Sequence, residues 1–409
     1  MSKFLTVGDV CNITTGSLDS NAFVENGKYP FYTCAKEPTN IDTYAFDDDV
    51  VLVAGNNAQG NFHVNRFKGK FNAYQRTYIL TSKGEKSIDY IYYLLSLALK
   101  LLKDKSQGSQ TKFLTIGILK EIHVPNLANS QIVAKVLSDL DAKIELNNRI
   151  NRELEAMAKT LYDYWFVQFD FPNADGKPYK SSGGKMVYNA ELKREIPEGW
   201  AVKTLLDIAT YTNGLACQKF RPTNEEFLPV IKIREMRDGF TEGTEKVKAD
   251  IPEKLIVNNG DVLFSWSASL EVMIWTGGKG GLNQHIFKVT SRKYPRSFYY
   301  FQLIWYLQHF KMIAELRKTT MGHITQDHLK QSRIVVPPID VVRDLDKQLK
   351  NIQEKQILIS RQNQHLTALR DWLLPMLMNG QVTVRQAHGK LETEERLNMA
   401  AEPSVKYGN

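Results

Sequence analysis

The chain has 409 residues, of which 43% are hydrophobic and 24% are charged, and its formal net charge is +8. This length exceeds what a single hydrophobic core usually supports, so we expect more than one domain. No apolar run is long enough to span a bilayer, and the first residues lack the basic and apolar regions of a signal peptide.

Residues 1–127 have the pattern of a domain built from short strands and one apolar helix. The pattern predicts strands at 49–54 and 72–80, a helix at 90–102 and a last short strand at 120–125. A loop of turn-forming residues, 55–60, follows the first of these strands.

Residues 128–170 carry apolar side chains at every seventh position, which predicts a long helix packed against another helix. The row consists of Val133, Leu140, Asn147, Leu154 and Leu161, with an asparagine in one apolar place. A helix of about forty residues is about 60 Å long.

The second half of the chain repeats this plan. After a linker rich in Pro, Gly and Ser at 171–199, residues 200–339 predict strands at 261–266, 283–289 and 330–337 and a helix at 298–310. Residues 340–385 then carry a second seven-residue row: Leu345, Ile352, Ile359, Leu366 and Leu373. The two rows share one offset of 212 positions, which indicates a duplicated unit. Residues 386–409 are polar and are predicted to be a loosely held tail.

These features predict an α+β protein. Two α/β domains would be separated by two long helices that pair as an antiparallel coiled coil, as a tandem duplication with pseudo-twofold symmetry. Five amide residues lie on or beside the predicted seam: Asn147, Asn148, Asn151, Gln362 and Asn363. They either lie between the helices and fix the register, or face solvent on a flank, and the sequence leaves both interpretations open.

Positive charge is concentrated in the two predicted domains. Residues 50–127 hold eleven Lys and Arg against four Asp and Glu, and residues 200–339 hold nineteen against thirteen. The first helical region, 128–170, holds five Lys and Arg against seven Asp and Glu. This distribution fits domains that touch a polyanion and helices that touch protein, although solvated lysine-rich loops would produce it equally well.

Motifs of self-sufficient catalysis are absent from the sequence. There is no Walker sequence, no HExxH and no GxSxG, and the histidines are scattered. The three cysteines, Cys11, Cys34 and Cys217, form no CxxC pair, which argues against a disulfide framework or a cysteine metal site and fits a cytoplasmic protein. We therefore expect a non-catalytic chain with no metal or cofactor of its own.

Over nearly its whole length the chain resembles a known family, the specificity (S) subunits of type I restriction–modification systems. The resemblance rests on the duplicated plan and on several strings in a characteristic order. These are LNNRIN at 146–151, LEAMAKTLYDYWFV at 154–167, IPEGW at 196–200, LNQH at 282–285 and TMGHI at 320–324.

The resemblance implies a DNA-binding subunit without catalysis of its own. Each domain would be a target recognition domain that reads one half of a bipartite, asymmetric site in double-stranded DNA, and the helices would set the spacer. Two methyltransferase (M) subunits would dock along the helices, and two restriction (R) subunits would join them. S-adenosylmethionine, ATP and Mg would be bound by those partners, which would methylate adenine N6 and cut DNA.

Candidate DNA-contacting residues follow from residue type and position in the predicted loops. Asn and Gln can bond adenine bidentately, whereas Lys and Arg suit guanine or phosphate. In the first domain the candidates are Asn56, Asn57, Gln59, Asn61, Arg66, Lys68 and Lys70. In the second they are Arg221, Lys232, Arg234, Arg237, Ser265, Ser267 and Lys279.

A second interpretation is a coiled-coil interaction scaffold that reads no DNA. It accounts for the two helical rows but leaves the basic excess of both domains unexplained. Salt-dependent retention on duplex DNA would distinguish the two interpretations.

Overall fold

The computed structural model describes residues 5–56, 62–105, 113–125, 127, 129–267, 269–316 and 323–382. The chain divides into two compact units: unit 1 comprises Met1–Ile144 with Leu366–Asn409, and unit 2 comprises Glu145–His365. No helix among the described residues is both long and apolar enough to cross a membrane.

The elements of the first half are short except for two helices. They are α1 (Val7–Val10), β1 (Cys11–Thr15), β2 (Tyr29–Tyr32), β3 (Thr39–Ile41), β4 (Phe46–Ala54), β5 (Val64–Ala73), β6 (Thr77–Ser82), α2 (Ile88–Lys105), α3 (Ile116–Lys120) and the long α4 (Ser130–Phe166).

The second half has more and shorter strands. Its strands are β7 (Met186–Asn189), β8 (Arg194–Pro197), β9 (Ala201–Lys203), β10 (Thr210–Asn213), β11 (Phe227–Ile231), β12 (Lys246–Lys248), β13 (Ile256–Val257), β14 (Val262–Ser265), β15 (Glu271–Ile274), β16 (Gly280–Leu282), β17 (Ile286–Thr290) and β18 (Ile334–Val336). Its helices are α5 (Leu205–Ile208), α6 (Ile233–Asp238), α7 (Arg296–Leu316), α8 (Gln326–Gln331) and the long α9 (Ile339–Met378), with 3-10 turns at Cys217–Lys219 and Glu253–Leu255.

Unit 1 is built on a six-stranded sheet in the order β1-β6-β4-β5-β2-β3. The central strand β4 is buried on both faces because successive side chains of a strand point to opposite sides. Val51 and Val53 join a core formed with α2, α4 and the end of α9, whereas Val50 and Leu52 join a second cluster with Phe71. The predicted strand at 49–54 and the predicted helix at 90–102 are confirmed.

Unit 2 contains two four-stranded sheets, ordered β10-β17-β14-β15 and β12-β11-β16-β13. Strand β14 links their cores: Val262 and Phe264 pack into the cluster with α7, while Leu263 packs with Trp275 on the other side. The two-stranded pairs β18-β9 and β7-β8 complete the unit. Strand β14 and helix α7 confirm the elements predicted at 261–266 and 298–310.

The long helices begin and end close to where the seven-residue rows predict. Helix α9 is followed by Asn379 and by Gly380, whose φ of +68° is the left-handed conformation common just after a helix end. Within unit 1, Val133, Leu140 and Leu373 are buried in one core with α2.

Within unit 2 the same rows continue into another core. Leu345 is buried there, and Leu161 and Ile352 are partly buried against it. Asn147 and Ile359 are buried, Leu154 is half-buried in unit 2, and Leu366 is partly buried against the unit 1 core.

Two strand predictions are wrong. The strand expected at 72–80 is two strands, β5 and β6, joined by a turn in which Thr77 N–H bonds Tyr74 O at 2.8 Å. The strand expected at 120–125 is replaced by the end of α3 and a single bridge between Thr6 and His123.

Two further strand predictions are right only in part. Of residues 283–289, only those from Ile286 onward belong to a strand, β17. Of residues 330–337, only β18 (Ile334–Val336) is a strand, because α8 occupies the start of that segment.

The segment predicted as a linker, 171–199, is folded against unit 2. It forms the hairpin β7-β8, and Phe171 is buried with its ring stacked on Tyr179 at 4.6 Å between centroids. The predicted tail, 386–409, lies outside the described residues.

Candidate nucleic-acid interface

The same backbone arrangement recurs at one end of the main sheet in each unit. In unit 1, Gly16 N–H bonds Thr77 O, and Gln75 N–H bonds Leu18 O at 2.9 Å. At the adjoining strand end, Gly55 N–H bonds Arg76 O at 2.8 Å, and Leu114 N–H bonds Gly55 O at 3.0 Å. These bonds bring β1, β6, β4 and the segment before α3 together.

Unit 2 repeats these four bonds with different residues. Gly214 N–H bonds Ile286 O, and Gln284 N–H bonds Leu215 O at 2.9 Å. Trp266 N–H bonds His285 O at 3.2 Å, and Ile324 N–H bonds Trp266 O at 2.9 Å. Arg76 and His285 therefore occupy the same backbone position, as do Gly55 and Trp266.

Gly16 and Gly214 are required by close backbone approach. A Cβ on Gly16 would lie 2.0 Å from Ala73 O, and one on Gly214 would lie 2.1 Å from Asn283 O. Only glycine fits such a contact between chain segments. Both units use a glycine at this point, which supports the equivalence of the two arrangements.

The side chains around this point in unit 1 are polar or exposed. We call the group Asn56, Gln75, Arg76 and Phe113 the tip of unit 1. Arg76 is exposed, Gln75 donates to Asp19 Oδ1 at 3.0 Å, and Phe113 is 54% exposed beside Asn56, with which it forms a bridge. The group combines hydrogen-bonding side chains with an exposed ring.

The corresponding group in unit 2 is built around an indole. We call Trp266, Ser267, Gln284, His285 and His323 the tip of unit 2. The Trp266 ring lies 5.6 Å from both the His285 and the His323 rings, and its Nε1 donates to Asn213 Oδ1 at 3.1 Å. His285 Nε2 lies 3.3 Å from Gln284 Nε2. This tip combines an indole, two imidazoles and polar side chains, whereas the tip of unit 1 bears an arginine.

The cations predicted in unit 1 lie on β5, away from Asn56. Arg66 forms ion pairs with Asp49 and Asp89 and donates to Phe67 O at 2.8 Å. Burial alone would lower the pKa of Arg66, but the bonds to the two carboxylates outweigh it and raise that pKa. Arg66 is therefore held inside its own unit.

The two predicted lysines of unit 1 are exposed, but they stand opposite acidic residues. Lys68 is paired in register with Asp49, and Lys70 with Asp47. The Lys70 ammonium also lies 4.5 Å from the centre of the Tyr44 ring. Asn57, Gln59 and Asn61 lie outside the described residues.

Three predicted cations of unit 2 are already paired within the unit. Arg237 is paired with Glu271, Arg234 with the buried Glu235, and Lys232 with Glu245. The hydrogen bond to Glu271 raises the pKa of Arg237, so this guanidinium stays charged.

The predicted serines of unit 2 are buried. Ser265 donates to Ser269 O and accepts from Glu271 N–H at 2.9 Å, so it holds the turn after β14, and Ser267 is 4% exposed. Arg221 and Lys279 are exposed. The role of every predicted DNA-contacting residue stays a prediction.

The amide residues of the long helices meet one another within unit 2. Asn147 Nδ2 donates to Gln362 Oε1 and to Asn363 Oδ1, each at 2.8 Å, and Asn363 Nδ2 donates to Asn148 Oδ1 at 2.7 Å. Asn151 Nδ2 donates to Ser360 Oγ at 3.0 Å. These amides therefore lie between the helix segments rather than on an exposed flank.

The order of the contacts gives the direction of these segments. As residue numbers rise from Asn147 to Glu155 on α4, their partners fall from Gln362 to Gln356 on α9. The segments within unit 2 thus run in opposite directions. In unit 1, Arg370 of α9 bonds Asp141 of α4 at 2.8 Å, and Asp141 also accepts from Tyr93 of α2 at 2.6 Å.

Sequence reasoning missed Arg76, Trp266, Gln284, His285 and Phe113. The signal was available in the alignment of the two halves, because Gln75-Arg76 and Gln284-His285 fall at matching places in the repeated plan. Within the described residues, no three His, Cys, Asp or Glu side chains are grouped as a metal site would require.

Comparison with known families places this geometry in context. The family described as "Type I restriction modification DNA specificity domain" matches residues 2–156 and 197–368, which is most of the chain. The chain therefore belongs to the type I restriction–modification DNA specificity family. This confirms the resemblance seen in the sequence and the expectation of a specificity subunit rather than a catalytic one.

Individual relatives agree with the family assignment. The chain is 36% identical to the EcoDI specificity subunit of Escherichia coli over 145 residues, 35% of this chain and 32% of the relative. It is 27% identical to the MjaIX specificity subunit of Methanocaldococcus jannaschii over 73% of this chain and 70% of the relative. It is 24% identical to the HindI specificity subunit of Haemophilus influenzae over 69% of this chain and 74% of the relative.

A solved structure shares the fold. The crystal structure of the type I restriction–modification S subunit from M. genitalium covers 91% of this chain and 94% of its own, with a TM-score of 0.57 and 14% identity. At this identity the likeness concerns the fold alone.

Proposed function

We propose that this chain gives a type I restriction–modification complex its DNA sequence specificity and is not itself catalytic. Unit 1 and unit 2 each carry a target recognition domain for one half of a bipartite, asymmetric site in double-stranded DNA. The observation that carries the proposal is the pair of tips, which share one backbone arrangement but present different side chains. A duplicated scaffold with different reading groups suits two different half-sites.

The long helices act as the spacer of this assembly. The proposal is that α4 and α9 form one antiparallel coiled coil along their length and that the chain is a pseudo-twofold tandem duplication. The opposed segments of unit 2, joined through Asn147, Gln362 and Asn363, support it. Double-stranded DNA also has antiparallel, dyad-related strands, so such a subunit would deliver one methyltransferase to each strand.

Catalysis belongs to the partners in this proposal. Two M subunits dock along the helices and carry S-adenosylmethionine for adenine methylation, and two R subunits bring ATP, Mg and nuclease chemistry. The complex is cytoplasmic. The name of the family and the names of the relatives, all specificity subunits, support the assembly.

The test uses the whole complex. The chain is produced with the M subunit of a type I system in cells that lack other adenine methylation, and methylated adenines are mapped genome-wide. We expect one bipartite asymmetric motif, which disappears when the chain is omitted. An interaction scaffold that reads no DNA would leave methylation absent or without a motif in both cases.

A further inference from the structure

Arg76 and His285 stand at the same point of the same scaffold. Each carbonyl accepts from the residue that follows the neighbouring strand, Gly55 in unit 1 and Trp266 in unit 2. Each is preceded by a glutamine whose N–H bonds a leucine carbonyl at 2.9 Å. The backbone at both positions is therefore fixed in the same way by its neighbours.

Both side chains at this point carry hydrogen-bonding groups that no described residue satisfies. Arg76 is exposed and its guanidinium forms no ion pair or hydrogen bond within the described part of the chain, unlike Arg66, Arg234 and Arg237. In the described residues His285 Nδ1 is buried without a hydrogen-bond partner, and its ring packs on Trp266.

The surrounding groups supply hydrogen bonds and ring surfaces. Asn56 and Gln75 flank Arg76, and Gln284 flanks His285 within 3.3 Å. A free arginine can donate two bonds to guanine, while amide groups and an imidazole donate to or accept from base edges. The two positions thus have different chemistry on a common frame.

We propose that Arg76 and His285 are equivalent base-reading residues, one for each half of the DNA site. This inference rests on the proposed function and deepens it by naming specificity residues. It also separates the arginines by role: Arg76 reads a base, whereas Arg66 braces the sheet. Arg76 is suited to guanine because its two terminal nitrogens can bond O6 and N7 together.

The experiment maps methylated adenines for the complete complex that contains Arg76→Ala, His285→Ala or the wild-type chain. We expect Arg76→Ala to relax one base position in one half-site, with methylation of the mismatched sites rising about tenfold or more. His285→Ala should alter a position in the other half only. Lys120→Ala, which removes an exposed cation of unit 1, is the matched control and should keep the motif.

A second pair of variants keeps the test decisive if an alanine variant folds poorly. Arg76→Lys retains the charge but not the two-pronged geometry, so it should relax the same base position as Arg76→Ala. The exchange of Arg76→His with His285→Arg should change both half-sites at once. Thermal unfolding of each variant confirms that it is folded.

Three outcomes would contradict base reading by Arg76 and His285. An unchanged motif in the folded Arg76 and His285 variants would overturn the inference, as would changes that fall in the same half-site. A uniform, salt-dependent loss without a change of motif would mean phosphate contact and would also overturn base reading. A wild-type complex that methylates without any motif would instead refute the proposed function and this inference with it.

Discussion

Arg66 and Arg76 carry the same charge group in different surroundings. The Arg66 side chain is 22% exposed and bonds two carboxylates and two carbonyl groups of its own unit, whereas the exposed Arg76 guanidinium has no such partner among the described residues. A side chain that is already satisfied by its neighbours loses those bonds if it turns to a ligand. Surroundings, rather than residue type, therefore decide whether an arginine is free to bind a ligand.

This difference predicts unequal effects on stability. Arg66→Ala should lower the free energy of unfolding by about 2 kcal/mol because Asp49 and Asp89 lose their partner. Arg76→Ala should change it by less than about 0.5 kcal/mol, since the side chain is at the surface. Urea unfolding of both variants measures the contrast, and raised salt should shrink the Arg66 effect. Equal losses would contradict the assignment.

The three cysteines should differ in reactivity. Cys11 is buried, and burial raises its pKa to about 12, although the positive charge of Lys83 opposes this, so it remains a thiol at pH 8. Burial also raises the pKa of Cys217. Cys34 is only partly buried, and its Sγ lies 3.8 Å from Arg76 O at the tip of unit 1.

Alkylation at pH 8 followed by mass spectrometry should therefore modify Cys34 first in the native complex. Specific duplex DNA should slow that modification several-fold, because DNA on the unit 1 tip covers the thiol. DNA of unrelated sequence is the control. Equal rates with and without the specific duplex would count against DNA contact at this tip.

At the scale of elements, the long helices have a local sequence signal, whereas the tips show only in a comparison of the two halves. A row of apolar residues at every seventh position is a local signal that can be recognised without knowledge of tertiary contacts. The turn at Tyr74 to Arg76 has no such signal. It is imposed by bonds to distant residues, Tyr74 N–H to Tyr32 O and Gln75 N–H to Leu18 O.

The surroundings of the predicted site residues were not predictable for the same reason. Residue type made Arg66 a candidate for DNA contact, but its partners Asp49 and Asp89 lie far from it in the sequence and meet it only in the folded sheet. The buried Ser265 is a similar case, because its hydroxyl closes a turn. Residue type can indicate chemistry, whereas the availability of a side chain depends on tertiary contacts.

The glycines beneath the tips should be intolerant of a side chain. Gly16→Ala or Gly214→Ala places a Cβ against a backbone carbonyl, so the strands must move apart at a cost of about 1–3 kcal/mol or more in unfolding free energy. Gly117→Ala in α3 is the control, since its Cβ would meet nothing closer than 3.8 Å and a helix favours alanine by about 0.5–1 kcal/mol. Chemical denaturation measures the unfolding free energy of all three variants. Destabilisation by Gly117→Ala alone would contradict the close backbone approach at Gly16 and Gly214.

The amides between the helices should make Asn147 sensitive to an apolar replacement. Asn147 is 2% exposed and supplies both donors that bond Gln362 and Asn363. Asn147→Ile copies Ile359, its counterpart in the second row, but removes both of these buried hydrogen bonds at a cost of about 1–3 kcal/mol. Thermal or urea unfolding measures the loss.

Two further variants test the cause of that loss. Arg149→Ala, at an exposed position two residues away, should be nearly neutral. Adding Gln362→Leu and Asn363→Leu to Asn147→Ile should recover part of the lost stability, because an apolar set replaces a broken polar one while Asn148 Oδ1 loses its bond from Asn363. A loss that persists in full in the triple variant would point to packing rather than to the lost hydrogen bonds.

At the scale of the whole molecule, charge and length assign different tasks to the domains and the helices. The net charge of +8 arises mainly in residues 50–127 and 200–339, whereas residues 128–170 are slightly acidic. Under the proposed function, phosphate attraction belongs to the recognition domains, and the helices are left to protein contacts and to length. If the proposed function holds, helix length must determine which DNA spacers are accepted.

That dependence can be measured by lengthening both helices together. One heptad is duplicated after Glu155 in α4 and before Gln356 in α9, two residues that bond each other at 2.9 Å. Seven residues add about 10 Å of helix, and duplex DNA rises about 3.4 Å per base pair, so the methylated motif should gain about three base pairs of spacer. Both half-sites should keep their bases because neither tip changes.

The control for this double insertion is a variant with the heptad inserted in α4 alone. It shifts the row of Asn147 against its partners on α9 and removes the Asn147–Gln362 and Asn147–Asn363 bonds, so it should reduce stability and methylation rather than lengthen the spacer. A spacer that stays constant in a stable, active double insertion would mean that something other than the helices sets the distance between half-sites. The antiparallel arrangement proposed for the full helices would then lose its functional meaning.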